Sequence, residues 1–547
     1  MQKKYRLDLL IFIFLVATGG LLGYYFMYEY KWDFTNYHYY GPWALLNDRI
    51  GYDIAPASVN TYFNPLIDIP FYFLTRYFND YPQFISAVQG LYYGLLLFVF
   101  YKICSLFFSG DNWQRFAKIG LAMLIGGSGY AVFMQISTTT NEIQIGILVL
   151  WGFYLLVKIL KDEKEKATAF IWPGLILGMA MGLKLTAVIY CIAAGGSLIL
   201  LSRQIRSPIA KISVFAVFGV VGFLIVNGYW MWLMWQHFGN PFFPFANAIF
   251  KSEYYPLFNF SDTRYLPKNY LQFLFYPFYW IYHNQRYVGE MEFIDPRFAI
   301  LQVIGLVWLI MFFREKTQTS FQNRFLYLFM FLSYVAWLSC FSIIRYLLPI
   351  EMLAAIVFVQ ALWLLKITKS WQQIVFIPLI IILIYIMMTV ANQSDEWGSR
   401  RGDNKIIDME KVTVQDDSLI ILYSMPSAAL GTILADSAHN VRLIGTLQYN
   451  AIEMKGTDFS NEGEFHKIKD KLISGHRGDI LALVRFWCSE NCLRKISEDK
   501  LLGDMYCRKL QNNLDDNIFI CRSQKWFDDD TKGLTEEMNN NLLFVSK

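Results

Sequence analysis

The chain has 547 residues, 55% hydrophobic and 18% aromatic with only 17% charged, a balance too apolar for a soluble protein of this length. Its formal net charge of +4 offers no strongly basic surface, so a nucleic-acid partner is not expected. What remains is a polytopic protein whose partner is the lipid bilayer.

A membrane span needs roughly 20 mostly apolar residues. Eleven windows meet this in chain order: 8–28, 84–108, 117–135, 142–160, 169–182, 185–202, 212–235, 298–313, 325–341, 346–365 and 374–391. The fifth is short and abuts the sixth. The first follows the basic "MQKKYR" and is long, with no small-x-small cleavage site, which reads as a retained signal anchor.

Short cytoplasmic loops carry Lys and Arg. The basic segments "MQKKYR", "DNWQRFAK", "KDEKEK", "RQIRSPIAK", "REKTQTSFQNR" and "KITKSWQQ" therefore put the N-terminus inside, and eleven spans put the C-terminus outside. The outer face then receives the loops 29–83 and 236–297, three tight turns and the tail from 392. Two of those turns break the charge rule, with Lys184 in "GLKLTA" and Arg345 in "SIIRYLLP". A cation at the centre of a span costs about 2.5–3.5 kcal/mol on insertion scales. Snorkelling to the interface accounts for either residue alone. Both at outer span ends, opposite an acidic and aromatic loop, point to an anion site.

The first outer loop opens with "YEYKWDFTNYHYYG". If residues 33–47 are helical with a kink at Gly41-Pro42, Asp33, Tyr37 and Tyr40 or Gly41 share a face. Asp33 at the start of that helix can serve as an N-cap or as a general base that takes the proton of an attacking hydroxyl. Further along come Asp48, Arg49, Asp53, Asn64 and Asp68. Aromatic faces with a few directed polar groups suit sugars, although Trp and Tyr also form ordinary interfacial belts. Tyr37, His38 and Asn64 are candidate substrate contacts on this reading.

The second large loop carries Asp262, Arg264, Glu290, Asp295 and Arg297. Salt bridges that fix the loop are one role for them and contact with an acceptor the other. Its stretch "LQFLFYPFYWIYH" reads as a surface-lying or re-entrant segment, since Pro and Gly forbid one regular helix through the loop.

Beyond Ser394 the composition turns polar, beginning with the linker-like "SDEWGSRRGDNK". The runs "SLIILYS", "VRLIG" and "DILALVRF" read as strands between the helical "SAALGTILADSA" and "GEFHKIKDKLI". The expected division is a membrane domain at 1–393 and an extracytoplasmic α/β domain at 394–547. Cys488, Cys492, Cys507 and Cys521 in the tail suit disulfides in an oxidising compartment, with three pairings open, whereas their spacing lacks the paired knuckles of a zinc site. The chain has no G-x-x-x-x-G-K-S/T, H-E-x-x-H or G-x-S-x-G motif, so ATP-driven transport, zinc proteolysis and serine hydrolysis find no support.

An acid soon after the first span, an odd number of short spans, the lysine of "GMAMGLKLTA", a late "RYLLP" and an outer C-terminal domain together resemble the GT-C superfamily of integral-membrane glycosyltransferases. The resemblance implies a donor sugar linked to polyprenyl phosphate and a glycan, lipid or protein hydroxyl as acceptor. It implies Asp33 as the catalytic acid of the first loop, Arg345 at the donor phosphate with Lys184 beside it, and direct inverting transfer with no metal or other cofactor. Many members carry a second acid beside the first; here Trp32 and Phe34 flank Asp33, so Asp48, Asp53 and Asp68 are the candidates for that role. The rival readings are a flippase for a lipid-linked saccharide, which would show midplane polar groups and repeated halves, and an O-antigen ligase or polymerase. The expected location is a bacterial inner membrane with the tail in the periplasm; an endoplasmic reticulum membrane is the alternative.

Overall fold

The computed structural model describes residues 2–26, 32–110, 113–161, 166–257, 262–281, 288, 295–315, 320–364, 404–423, 427–445, 464–485, 505–522 and 543–545. Its helices run α1 (Gln2–Phe26), α2 (Tyr40–Leu46), α3 (Ile69–Phe78), α4 (Pro82–Phe107), α5 (Trp113–Gly127), α6 (Tyr130–Phe133), α7 (Glu142–Leu160) and α8 (Ile171–Leu183). They continue with α9 (Val188–Leu200), α10 (Pro208–Phe238), α11 (Asn247–Phe250), α12 (Tyr270–Tyr279), α13 (Arg297–Glu315), α14 (Phe321–Cys340), α15 (Leu348–Leu364), α16 (Ala428–Ala435) and α17 (Glu464–Gly475). The strands are β1 (Leu419–Leu422), β2 (Arg442–Gly445), β3 (Ile480–Arg485), β4 (Met505–Lys509), β5 (Ile518–Arg522) and β6 (Leu543–Val545).

Within the described residues, the apolar windows from 8–28 to 346–365 fall on helices except 117–135, and 374–391 lies outside the described residues. Among the described residues, five segments are long and apolar enough to cross a membrane by themselves: Tyr5–Tyr25, Pro82–Phe107, Glu142–Leu160, Pro208–Phe238 and Ile344–Trp363. The chain is an integral membrane protein. The window at 117–135 is broken, because α5 stops at Gly127 and the short α6 follows Gly129.

Chain contacts group the protein into two compact units. One comprises Met1–Glu29, Gln83–Tyr229 and Ser261–Arg400; the other comprises Tyr30–Pro82, Trp230–Phe260 and Arg401–Lys547. In the first, glycines let helix backbones touch. A Cβ at Gly19 or Gly23 of α1 would collide with the carbonyl oxygen of Gly90 or Ser86 in α4, and one at Gly178 of α8 would collide with that of Gly219 in α10. Small residues one helical turn apart allow this close approach where lipid supplies no hydrophobic drive between helices.

The second unit is built on a sheet of order β2-β1-β3-β5-β4-β6. Its β1 lies parallel to β2 and β3, pairing Ile421 with both Ile444 and Ala482, and the remaining pairings are antiparallel. The strands expected from "SLIILYS", "VRLIG" and "DILALVRF" are β1, β2 and β3; β4 and β5 mix charged and apolar residues without clear alternation, and β6 spans only three residues, too short to show a period. Cys507 on β4 faces Cys521 on β5 and is bonded to it, while Cys488 and Cys492 lie outside the described residues.

Tyr30–Pro82, the stretch expected to form the first outer loop, belongs to this unit. Ile54 pairs in parallel with Ile444, and the backbone bonds Ile54 N to Leu443 O (3.0 Å) and Gly445 N to Ile54 O (2.7 Å) extend the sheet past β2. Asp53 anchors the junction. Its fully buried carboxylate accepts from Arg49 (2.6 and 3.0 Å), Tyr40 Oη (3.0 Å) and Leu443 N (3.0 Å). Burial raises the Asp53 pKa above the usual carboxylate value, with the Arg49 guanidinium opposing that rise. One apolar core joins all three pieces of the unit. Tyr62 stacks on Phe465 at 5.6 Å and meets Phe238 and Phe243 edge-on at 4.9 Å, beside Ile54, Ile421, Ile444 and Ala482.

Two substitutions test this packing. Gly178→Leu forces α8 away from α10 and is expected to cost at least the 1–3 kcal/mol of an overpacked core, read as a lower unfolding temperature in detergent. Asp53→Ala strands the Arg49 charge and should cost about 3 kcal/mol, in the range measured for broken buried pairs; limited proteolysis should then cut residues 48–58 first.

Candidate functional site

The first unit gathers three charged side chains from distant positions. Lys184 ends α8 in an extended conformation (φ −147°), Arg345 sits in the single 3-10 turn Ile344–Leu347 that precedes α15, and Glu142 opens α7. A carboxylate in a first helical turn is favoured by the helix dipole. Lys184 Nζ lies 2.6 Å from Glu142 Oε1 and 2.7 Å from the Thr140 carbonyl, and Arg345 Nε lies 3.7 Å from the same Glu142 oxygen. Both cations also lie over the Tyr346 ring, at 5.5 and 5.4 Å, a favourable cation–π arrangement. Tyr190 Oη donates to the Tyr346 carbonyl and fixes the turn.

The segment before α7 completes this pocket of charge. Ser137 and Asn141 adopt positive φ (62° and 65°), folding Thr138, Thr139 and Thr140 inward, where all three are buried. Gln135 accepts from the Thr138 and Thr140 hydroxyls. Among the described residues two cations converge on one carboxylate, an arrangement whose cations can also attract an anion. Glu142 is the group that sequence reasoning missed. Its signal was present as an isolated acid opening a span whose other charge, Lys158, lies at the far end.

Arg297 belongs to a second ion cluster. It binds Asp295 through two nitrogens (2.5 and 2.8 Å), approaches Glu351 at 3.5 Å and donates to the Ile125 carbonyl at 3.1 Å. Asp262 and Arg264 pair with each other at 2.8 Å. These residues fix the second loop as salt bridges do, and Glu290 lies outside the described residues. The expected surface-lying stretch contains α12, capped by the Asn269 side chain and bent at Phe275 just before Pro277. It leaves Tyr270, Leu271 and Leu274 exposed.

In the second unit, Asp33 stands half-buried directly before a π turn, Phe34–His38. The expected single helix over 33–47 is instead this π turn followed by α2, with Gly41 and Pro42 inside the first turn of α2. Pro42 fits there, since an amide in a first turn has no partner within the helix. Asp33 has helical torsions (φ −59°, ψ −42°) and makes no side-chain capping bond, unlike an N-cap. A π turn closes from residue i to i+5 and is frequent at functional sites, and this one brings Asp33, Tyr37 and His38 onto one turn.

The other acids of the loop are placed differently. Asp68 Oδ1 lies 2.6 Å from Nδ1 of the buried His38, Asp53 is enclosed by the sheet contacts, and Asp48 is exposed at φ 52°. Tyr37 packs between His38 (4.2 Å) and Phe63 (5.6 Å). The Asn64 side chain accepts from Leu66 N and so stabilises the turn into α3.

Among solved structures, the chain is similar to ArnT from Cupriavidus metallidurans bound to undecaprenyl phosphate. The match is 12% identical, covers 94% of this chain and 98% of that chain, and has a TM-score of 0.54. No protein-family model and no curated protein matches. The likeness is one of fold: this chain has an ArnT-like architecture.

Proposed function

We propose that the protein transfers a sugar from a polyprenyl-phosphate-linked donor to an acceptor hydroxyl at the extracytoplasmic membrane face. The observation that carries this reading is the convergence of Lys184 and Arg345 on Glu142 within an ArnT-like fold. It is supported by the undecaprenyl phosphate bound in ArnT and by the placement of Asp33 at a π turn.

In the proposed step, the Asp33 carboxylate takes the proton of the acceptor hydroxyl as its oxygen bonds to the anomeric carbon. The bond from that carbon to the phosphate oxygen breaks, and its electron pair leaves on polyprenyl phosphate. Attack opposite the leaving group inverts the anomeric centre. Lys184 and Arg345 stabilise the charge that grows on the phosphate. Glu142 orients Lys184 until the phosphate arrives and gives way to it as counter-ion. The proposal uses no metal or other cofactor. Its sugar is a hexose, and its setting is a bacterial inner membrane with residues 394–547 in the periplasm, a compartment suited to the Cys507–Cys521 disulfide.

The test uses full-length protein in vesicles, a panel of radiolabelled undecaprenyl-phosphate hexoses and a membrane extract as acceptor pool. Asp33→Asn is expected to lower kcat by about 10²–10⁴, the usual contribution of a general base. Lys184→Ala and Arg345→Ala should each lower it by about 10²–10³, the scale for one lost electrostatic stabiliser. Asp33→Asn with wild-type kcat would refute the mechanism. Glu142→Gln, by removing the anion that competes with phosphate, should make free undecaprenyl phosphate a several-fold stronger inhibitor, read from its inhibition constant.

A further inference from the structure

The segment from α16 to β2 holds the Asp33-bearing loop along its length. Tyr52 Oη donates to Asn440 O at 3.1 Å, and Arg49 donates to Val441 O. At the head of the segment stands Asp436, the residue that ends α16. A carboxylate at a helix C-terminus opposes the helix dipole, so its presence there calls for compensating partners. Asp436 has two. Its Oδ1 accepts from Trp43 Nε1 of α2 at 2.8 Å and its Oδ2 from Arg76 of α3 at 2.8 Å.

These two helices flank the turn that follows Asp33. Within α3, Phe71 packs edge-on against Phe34, the residue after Asp33, at 5.7 Å. Phe34 also meets Tyr39, which packs on Tyr72 of α3 at 5.2 Å. The buried α16 packs against both the π turn and α2. One carboxylate thus ties together the elements that fix where Asp33 points.

We propose that Asp436 is a positioning residue for Asp33, and that the C-terminal α/β part acts in sugar transfer as the frame that aims the base. This rests on the reading of Asp33 as general base. The Arg76–Asp436 pair is partly exposed, with 48% and 35% of the side-chain surfaces accessible, and such pairs add little to stability. The bond to the buried Trp43 indole is the costlier one to lose, about 1–3 kcal/mol, so Asp436→Asn, which keeps an acceptor for it, separates geometry from stability; a displacement of about 1 Å at a reacting group can lower a rate about 10²-fold.

The experiment compares wild type, Asp436→Ala, Asp436→Asn and Asp33→Asn in the vesicle assay. Asp408→Ala, which removes the surface pair with Lys405, serves as control. Hydrogen exchange of residues 34–46 is read on the same full-length proteins without substrate. The expected result for Asp436→Ala is a kcat lower by about tenfold to a hundredfold, with donor KM unchanged, a small drop in unfolding temperature from the unpaired Trp43 indole and faster exchange in 34–46. Asp436→Asn, which keeps an acceptor for Trp43 and loses the ion pair, should fall between; Asp408→Ala should match wild type. If Asp33→Asn abolishes transfer while Asp436→Ala keeps wild-type kcat and exchange, the positioning role is overturned and the base reading stands. If Asp33→Asn transfers at the wild-type rate, both fall. Should no hexose be transferred, exchange decides alone, and unchanged protection in Asp436→Ala overturns the proposal.

Discussion

A buried charge must be matched, and that constraint organises both units of this protein. Removing a charged group from water costs several kcal/mol unless a partner and hydrogen bonds compensate. In the first unit, Lys184 and Arg345 share Glu142, while Arg297 lies between Asp295 and Glu351. In the second, Asp53 is matched by Arg49 and Arg522 by Asp479. Most of these pairs join positions far apart in the chain, so each is also a tether that sets where a loop or helix end lies.

The tethers differ in what they leave over. Asp53 has its oxygens filled by Arg49, Tyr40 and Leu443, which makes it a structural anchor. Around Glu142 two cations face one carboxylate. The proposed role of Lys184 and Arg345 at the donor phosphate rests on this convergence of two cations on one carboxylate.

The sheet of the second unit gives the loop of residues 30–82 its shape. A loop of this length, rich in Asp, Asn and Pro, would not hold one conformation by local preference alone. The bridge from Ile54 to Ile444, the stack of Tyr62 on Phe465 and the contacts of α16 with the π turn supply the order. The same α16 ends in Asp436, which reaches α2 and α3.

The sequence by itself determined the membrane class, most of the helical windows and the strands β1, β2 and β3, because apolar length and periodicity are local properties that survive in any context. It also singled out Lys184 and Arg345, since each is a cation at a span end expected to face outward, where the charge rule disfavours Lys and Arg. Their meeting at Glu142, the capture of residues 30–82 by a sheet that begins at 419, and the pairing of Asp436 with Trp43 and Arg76 were decided only in three dimensions. The physical reason is that ion pairs and core contacts depend on which surfaces packing brings together, and separations such as Trp43 to Asp436 leave no periodic trace in the sequence. The π turn in place of one kinked helix is a decision of the same kind: local propensity favours the α form, and packing against α16 and α3 accompanies the wider turn that holds Asp33.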